Sequence, residues 1–425
     1  MESQAEAYDE GSTFERNVYL FLIIWGLITL LRRGVRLSEV IKENKWLCVF
    51  FTYWLMSVIW SDMPFVALKR WVKDVGNIVM ALVILTEDDP ISASKAVFIR
   101  CACLLVPLSV LFIRYYSNLG RAYHIATGEM MYTGVATHKN TLGIMVMVCS
   151  LFLAWDFKTR YKTKLGVFQC LNGIPEIILM GMTLWLLHES HSATALACTI
   201  VGLVLLFTLP MQVVRTRMAR VEVYAIAAAL LLWLLNSQLG LASFVVQDVL
   251  GRDMTLTTRT EVWPVLLDHA ANPVVGAGFN SYWSGKRLEV LYEQFSIIQA
   301  HNGYLETYLN GGWIAVTLLL ILILSSSANI KKEIVLGLDY AIVRWLLLVI
   351  AIIHNFTEAS FNRGGLLWFA FLLAVTRHPS MLPPTLIGKK VDDEWANKTI
   401  GSPFGVTSGM TTGREMARGG LLWVS

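Results

Sequence analysis

Charge is scarce in this chain. Only 16% of its 425 residues are Asp, Glu, Lys or Arg, while 55% are hydrophobic and the mean hydropathy is +0.55. Soluble domains carry roughly 25% charge, so the balance excludes an ordinary soluble enzyme, and no nucleic-acid partner is expected. Cysteine is sparse too. The six (Cys48, Cys101, Cys103, Cys149, Cys170 and Cys198) all fall in apolar stretches, which excludes a disulfide framework and a zinc site and leaves them as small hydrophobes. The opening "MESQAEAYDEGSTFER" is acidic and lacks the basic n-region of a signal peptide. "HESH" (188–191) does not complete the HExxH zinc motif. No internal repeat is evident, which weighs against a transporter built from duplicated halves.

Long apolar runs are abundant. They cover 17–31, 46–60, 71–85, 97–116, 141–157, 167–187, 193–211, 223–239, 304–324, 340–356 and 364–375. A span needs about 20 apolar residues, so the runs predict an all-α, polytopic transmembrane bundle of about eleven helices. Lys and Arg are retained in cytoplasmic loops, and the basic segments 32–45, 158–164, 215–220 and 331–332 fall on one side if every run spans. The expected organisation follows. A periplasmic tail (1–16) leads into spans one to eight (17–239), then a periplasmic loop domain with short helices (240–303). Spans nine to eleven (304–377) and a flexible cytoplasmic tail (378–425) complete it.

The informative cations are those left outside: Lys69, Arg70, Lys73, Arg114, Arg121, Lys139, Arg252, Arg259, Lys286, Arg287 and Arg363. Guanidinium and ammonium groups gathered at an outer membrane face suit a phosphate-bearing ligand. "GVATHKNTLG" (134–143) sets His138, Lys139 and Asn140 at the mouth of the fifth span, where Thr137 or Asn140 can cap the helix and its first amides favour an anion. In "IIQAHNGYLETYLNGGW" (297–313), helical spacing puts Asn302, Glu306 and Asn310 on one face and His301, Leu305 and Tyr308 on another. Glu306 then stands about 140° around the helix from His301, too far to orient that imidazole. Histidine at the membrane's edge is suited to taking a proton near neutral pH.

"WSDMPFVALKRW", "THKNTLG", "TRTEVW", "NPVVGAGFNSYW" and "AHNGYLETYLNGGW" occur in this order between Trp60 and Trp368. The arrangement resembles the O-antigen ligase and polymerase-like membrane proteins, most of all the exopolysaccharide-polymerase (ExoQ-like) members. The resemblance implies a GT-C-like bundle in the bacterial inner membrane. It implies a glycosyltransferase without metal or other cofactor, moving a glycan from undecaprenyl diphosphate to a hydroxyl of an acceptor glycan or glycolipid, among membrane lipids. On that footing Arg259 grips the diphosphate, His301 deprotonates the acceptor, and Lys139 adds charge near the phosphates. His138, Asn140, Arg70, Asn302 and Glu306 are further substrate-binding candidates. One departure stands out: "SHSATAL" has Ala193 where the family carries Arg or Lys, and His191 or Arg363 would substitute. Polymerisation and ligation stay open. A different class, a permease for an anionic solute, would need ionisable groups near the bilayer midplane, for which Glu176 and Arg344 are the candidates.

Overall fold

The computed structural model describes residues 13–123, 128–162, 174–224, 259–295 and 298–378. Nearly all of the eighth expected run, the loop up to 258 with Arg252, Cys170 and the tail from 379 lie outside the described residues.

The described chain is helical apart from one small ribbon. In order it forms α1 (Thr13–Arg32), α2 (Leu37–Glu43), α3 (Lys45–Ser57), α4 (Pro64–Leu85) and α5 (Pro90–Tyr115). An antiparallel pair follows, β1 (Arg121–Tyr123) and β2 (Met130–Tyr132), with Arg121 opposite Tyr132. Then come α6 (Lys139–Lys162), α7 (Ile174–Glu189), α8 (Ala193–Thr208), α9 (Gln212–Arg217), α10 (Arg259–Asp268) and α11 (Gly285–Phe295), and finally α12 (Gly303–Val335), α13 (Asp339–His354) and α14 (Leu366–Val375).

Among the described residues four helices are long and apolar enough to cross a membrane: Phe14–Arg32, Pro90–Tyr115, Lys139–Arg160 and Gly303–Val335. Three shorter apolar helices accompany them, Lys45–Trp60, Ala193–Thr208 and Leu366–Val375. The chain is a multi-pass membrane protein, but length and composition do not reach the expected eleven spans. The reasons are local. At 22 residues α4 has the length, but it carries Lys69, Arg70, Lys73 and Asp74. Both α7 and α13 stop after 16 residues.

Side-chain contacts mark two ends of the bundle. At one end Ser61 Oγ meets Ser281 Oγ at 2.6 Å, Asn140 reaches Glu358, and Thr194 Oγ1 meets Thr357 Oγ1 at 2.8 Å. At the other, Arg33 pairs with Glu87, Arg377 N donates to Asn44 Oδ1, and Arg344 pairs with Glu333. Arg344, 1% exposed, also donates to the carbonyls of Ala374 (2.8 Å) and Thr376 (3.3 Å). It staples the ends of α12, α13 and α14 together. Glu176 sits in the first turn of α7 and pairs with Arg160 at 3.1 Å. Of the two groups that the permease reading needs, Glu176 is thus in a first turn, and Arg344, in the second turn of α13, is committed to the ends of α12 and α14.

The longest helix is interrupted. Gly312, in "LNGGW", has φ 61° and ψ −166°, so the α-helical ladder of α12 breaks there. Lipid cannot satisfy freed backbone groups, so such breaks persist only where protein does. Here the loop 273–278 supplies the partners. Trp313 N donates to Pro273 O (2.9 Å), Ile314 N to Val274 O (3.2 Å), and Ala277 N to Leu309 O (3.1 Å). Gly278 N donates to Asn310 O (2.8 Å), and the Tyr53 hydroxyl to Gly311 O (2.6 Å). A Cβ on Gly312 would lie 2.2 Å from the Val274 carbonyl carbon. The loop 273–278 is thus seated in the broken helix.

Candidate functional site

A cavity of about 1160 Å³ opens at the Ser61–Ser281 end. Its floor is apolar, from Leu105 of α5, Ile144 and Met145 of α6 and Leu366 and Leu367 of α14. Polar groups line the upper wall: His138 and Asn140 at the start of α6, Gln299, Glu358 and Arg363 from the loops, and Glu289 and Glu293 of α11. Apolar pockets with a few convergent polar groups are the usual form of a ligand site.

Behind Gln299 and Glu358 stands His301. Its Nδ1 is 3.3 Å from Glu358 Oε2, with the imidazole 32% and the carboxylate 10% exposed. Asn140 Nδ2 donates to the other oxygen, Glu358 Oε1, at 2.8 Å. The Gln299 amide nitrogen is 2.9 Å from Nε2 and 3.2 Å from Nδ1 of the same ring. A donor in line with one ring nitrogen cannot be that close to the other, so the amide lies across the imidazole face. Gln299 Oε1 accepts from Arg363 Nη1 at 3.1 Å, and Arg363 Nη2 donates to Glu306 Oε1 at 2.9 Å. With Glu358 taken as acceptor of the Nδ1 proton, a tautomer assigned from these contacts, Nε2 is the unprotonated ring nitrogen.

Local sequence explains why His301 is held there. Asn302 is the N-cap of α12, its Oδ1 accepting from Tyr304 N and Leu305 N at 3.0 Å each. His301 therefore precedes the helix, in the left-handed region at φ 49°. Such strain, about 1–3 kcal/mol, clusters at functional sites. Gly303 N donates to both Asn355 O (2.8 Å) and Glu358 O (3.1 Å), and a Cβ on Gly303 would fall 2.0 Å from Asn355 Oδ1. That oxygen in turn accepts from Ser360 N and Phe361 N, fixing the turn that carries Glu358. Only glycine allows this approach.

The expected site residues divide. His138, Asn140 and Arg363 line the cavity, and His301 is tied to its wall. The cap of α6 corrects the expectation for Thr137 or Asn140. The helix starts at Lys139, and it is His138 whose Nδ1 accepts from Asn140 N at 3.2 Å, releasing the Asn140 side chain to Glu358. The single-helix placement of residues 301–310 is also corrected, because His301 lies outside α12. Glu306, as expected, does not orient the imidazole. It is 4% exposed, with Oε1 taking Ala300 N (2.9 Å) and Arg363, and Oε2 taking Trp283 Nε1 (2.7 Å), so its carboxylate holds the loops around His301 together.

Other candidates stand apart from the cavity wall. Arg70 Nη1 braces the loop through Asn280 O (2.5 Å) and Ser284 Oγ (3.1 Å). Lys139 is half-buried in the first turn of α6, and His191 is exposed at φ 46°. Of the two proposed stand-ins for the cation missing at Ala193, Arg363 lines the cavity and His191 does not. Arg259 is the first residue of α10, and its side chain lies outside the described residues. One turn further along, Trp263 Nε1 donates to Ala300 O at 3.0 Å. Sequence reasoning missed Glu358 and Gln299. Gln299 is two residues from His301 and within reach of inspection, whereas nothing local links Glu358 to a histidine 57 positions away. Among the described residues no group of three or more His, Cys, Asp or Glu side chains is gathered as a metal site.

Comparison with known proteins gives two matches. The O-antigen ligase family model matches residues 177–325. The chain is also similar to the exopolysaccharide production protein ExoQ of Rhizobium meliloti (strain 1021), at 24% identity over 301 residues. That match covers 68% of this chain and 65% of the relative, so the chain spans just under two thirds of that protein's length. No solved structure matches. The resemblance to the O-antigen ligase and ExoQ-like proteins seen in the motifs is thus found again by both comparisons.

Proposed function

We propose that this protein transfers a lipid-linked glycan to an acceptor hydroxyl at the outer face of the bacterial inner membrane, in ligation or polymerisation of a surface polysaccharide. The observation that carries this reading is the His301–Glu358 pair at the cavity, Glu358 being itself a lining residue and the imidazole 32% exposed. The family match over 177–325, which includes both Arg259 and His301, supports it.

The chemistry is direct. His301 Nε2 takes the acceptor hydroxyl proton as the oxygen attacks the anomeric carbon, and the bond to the diphosphate breaks. The carrier leaves as undecaprenyl diphosphate. Glu358 stabilises the imidazolium that forms, as an orienting carboxylate does beside other histidine bases. A positioned base contributes roughly 10²–10⁴-fold, and a cation that neutralises the leaving diphosphate, the role proposed for Arg259, supplies much of the remainder. A single in-line displacement inverts the anomeric centre.

The test uses purified protein in lipid nanodiscs with a lipid-linked oligosaccharide donor. His301→Ala should lower turnover by at least about 100-fold, and the product linkage should be inverted. Wild-type turnover in a well-inserted His301→Ala protein would remove the reading. A permease finds no support in Arg344 and Glu176, which are taken up by Glu333 and Arg160.

A further inference from the structure

The His301 ring is held at its edge and on its face. At the edge, Nδ1 lies 3.3 Å from Glu358 Oε2. That contact alone leaves the ring one freedom, because the last torsion of a histidine side chain is broad and the imidazole can pivot about the line from Nδ1 to Oε2. The face contact blocks the pivot. The Gln299 amide nitrogen, 2.9 Å from Nε2 and 3.2 Å from Nδ1, sits over the ring.

An untethered glutamine would not stay there, since its side chain is among those that lose most rotamer freedom on ordering. Here the far end is tied, Arg363 Nη1 donating to Gln299 Oε1 at 3.1 Å. A guanidinium carries donors only, so it selects the amide oxygen and turns the amide nitrogen towards the imidazole. Arg363 is placed in turn by the buried Glu306, whose Oε1 accepts from Nη2 at 2.9 Å and from Ala300 N at 2.9 Å. Ala300 stands between Gln299 and His301 in the chain. One carboxylate therefore fixes both the backbone and the side-chain end of the brace.

We propose that Gln299 is a positioning residue that sets the imidazole plane of His301 for proton transfer, and that Arg363 acts on His301 through it. The role in transfer rests on the glycan-transfer reading, whereas the brace itself does not. Glu358 and Gln299 then divide the work. The carboxylate meets Nδ1, and the amide fixes the plane in which Nε2 points. A misdirected base slows the proton transfer without loosening the substrate, so the effect belongs in kcat.

The experiment compares the wild type, Gln299→Ala, Arg363→Lys and the double variant as full chains in nanodiscs. Arg363→Lys keeps a charge for Glu306 and loses the fork that reaches two partners. With a lipid-linked oligosaccharide donor, each single variant should lose about tenfold in kcat, with KM within about twofold of wild type. The double variant should again lose about tenfold, not the roughly hundredfold of independent sites. A second readout does without turnover: the rate at which diethyl pyrocarbonate acylates His301, followed by mass spectrometry against the exposed His188. His301 should lose protection and react faster in both single variants, with His188 unchanged. Equal melting temperatures establish that the variants are folded. A raised KM with kcat kept would place Gln299 on the substrate, and losses that multiply in the double variant would give Arg363 a separate role. Either overturns the inference, as does unchanged protection of His301. Lost protection in a protein that makes no glycan product leaves the brace standing and removes the transfer reading. Full protection and wild-type kcat in Gln299→Ala do the reverse.

Discussion

His301 and Glu358, 57 positions apart in the chain, face each other at 3.3 Å, and Asn140 holds the carboxylate from its other side at 2.8 Å. The arrangement fixes how each group should respond to substitution. Glu358→Ala removes charge and orientation together and should lower turnover about 100-fold, whereas Glu358→Gln keeps the shape and should lose about tenfold. Steady-state kinetics of glycan transfer checks both. Equal, wild-type rates in the two variants would detach Glu358 from the chemistry.

Gly312 tests the seat of the loop 273–278. Its φ of 61° and the 2.2 Å approach of Val274 leave no room for a methyl group. Gly312→Ala should cost about 1–3 kcal/mol from overpacking alone, with further loss as the loop 273–278 is displaced. Limited proteolysis should find this loop cut faster than in the wild type, together with a lower melting temperature.

The buried cluster at the opposite end makes an asymmetric prediction. Glu333→Ala leaves Arg344, 1% exposed, with only the carbonyls of Ala374 and Thr376 among the described residues, and should cost about 3–5 kcal/mol. Arg344→Met should cost less, because Glu333 keeps Arg377 at 3.4 Å. Thermal unfolding of the two variants in the same detergent gives the order. A greater loss in Arg344→Met would show that the guanidinium, not the carboxylate, anchors the cluster.

Asp89 provides a test by pH. As N-cap of α5 it accepts from Ile91 N and Ser92 N at 3.1 Å and from the Ser92 hydroxyl at 2.6 Å. Those bonds, the Ser92 hydroxyl first, hold its carboxyl below the ordinary value. A depressed folded value means the stabilisation is present above the unfolded carboxylate range, about 3.9, and is lost as pH falls through the folded one. Asp89→Ala should cost about 1 kcal/mol at pH 7, and the deficit should shrink below about pH 4. A deficit that persists unchanged at pH 3 would mean that the carboxylate charge is not what caps this helix.

Periodicity and hydropathy make most of the helices legible, because burial in lipid is written into every residue of a span. The site is legible only in part. His301, His138 and Asn140 lie in motifs dense with polar groups at the head of an apolar run, which is conspicuous by itself. Treating residues 301–310 as one helix fails because Asn302, a strong capping residue, starts the helix at Gly303 and leaves His301 in the left-handed region before it. Glu358 is hidden for a different reason. Its role depends on Asn355 and Gly303 bringing two distant segments together, and no local pattern encodes such a meeting. The amphipathic α11 is visible in "GKRLEVLYEQF", but in an otherwise polar loop its period does not reveal what its carboxylates face.

The bonds from Ala277 to Leu309 and from Gly278 to Asn310 have one more consequence. They tie the base of the segment that carries α11, Gln299 and His301 where it leaves the bundle and returns to it. Such a module can vary along its outer arc while its two feet stay put. Descendants of one ancestral bundle can therefore diverge along this arc, with the membrane scaffold inherited intact.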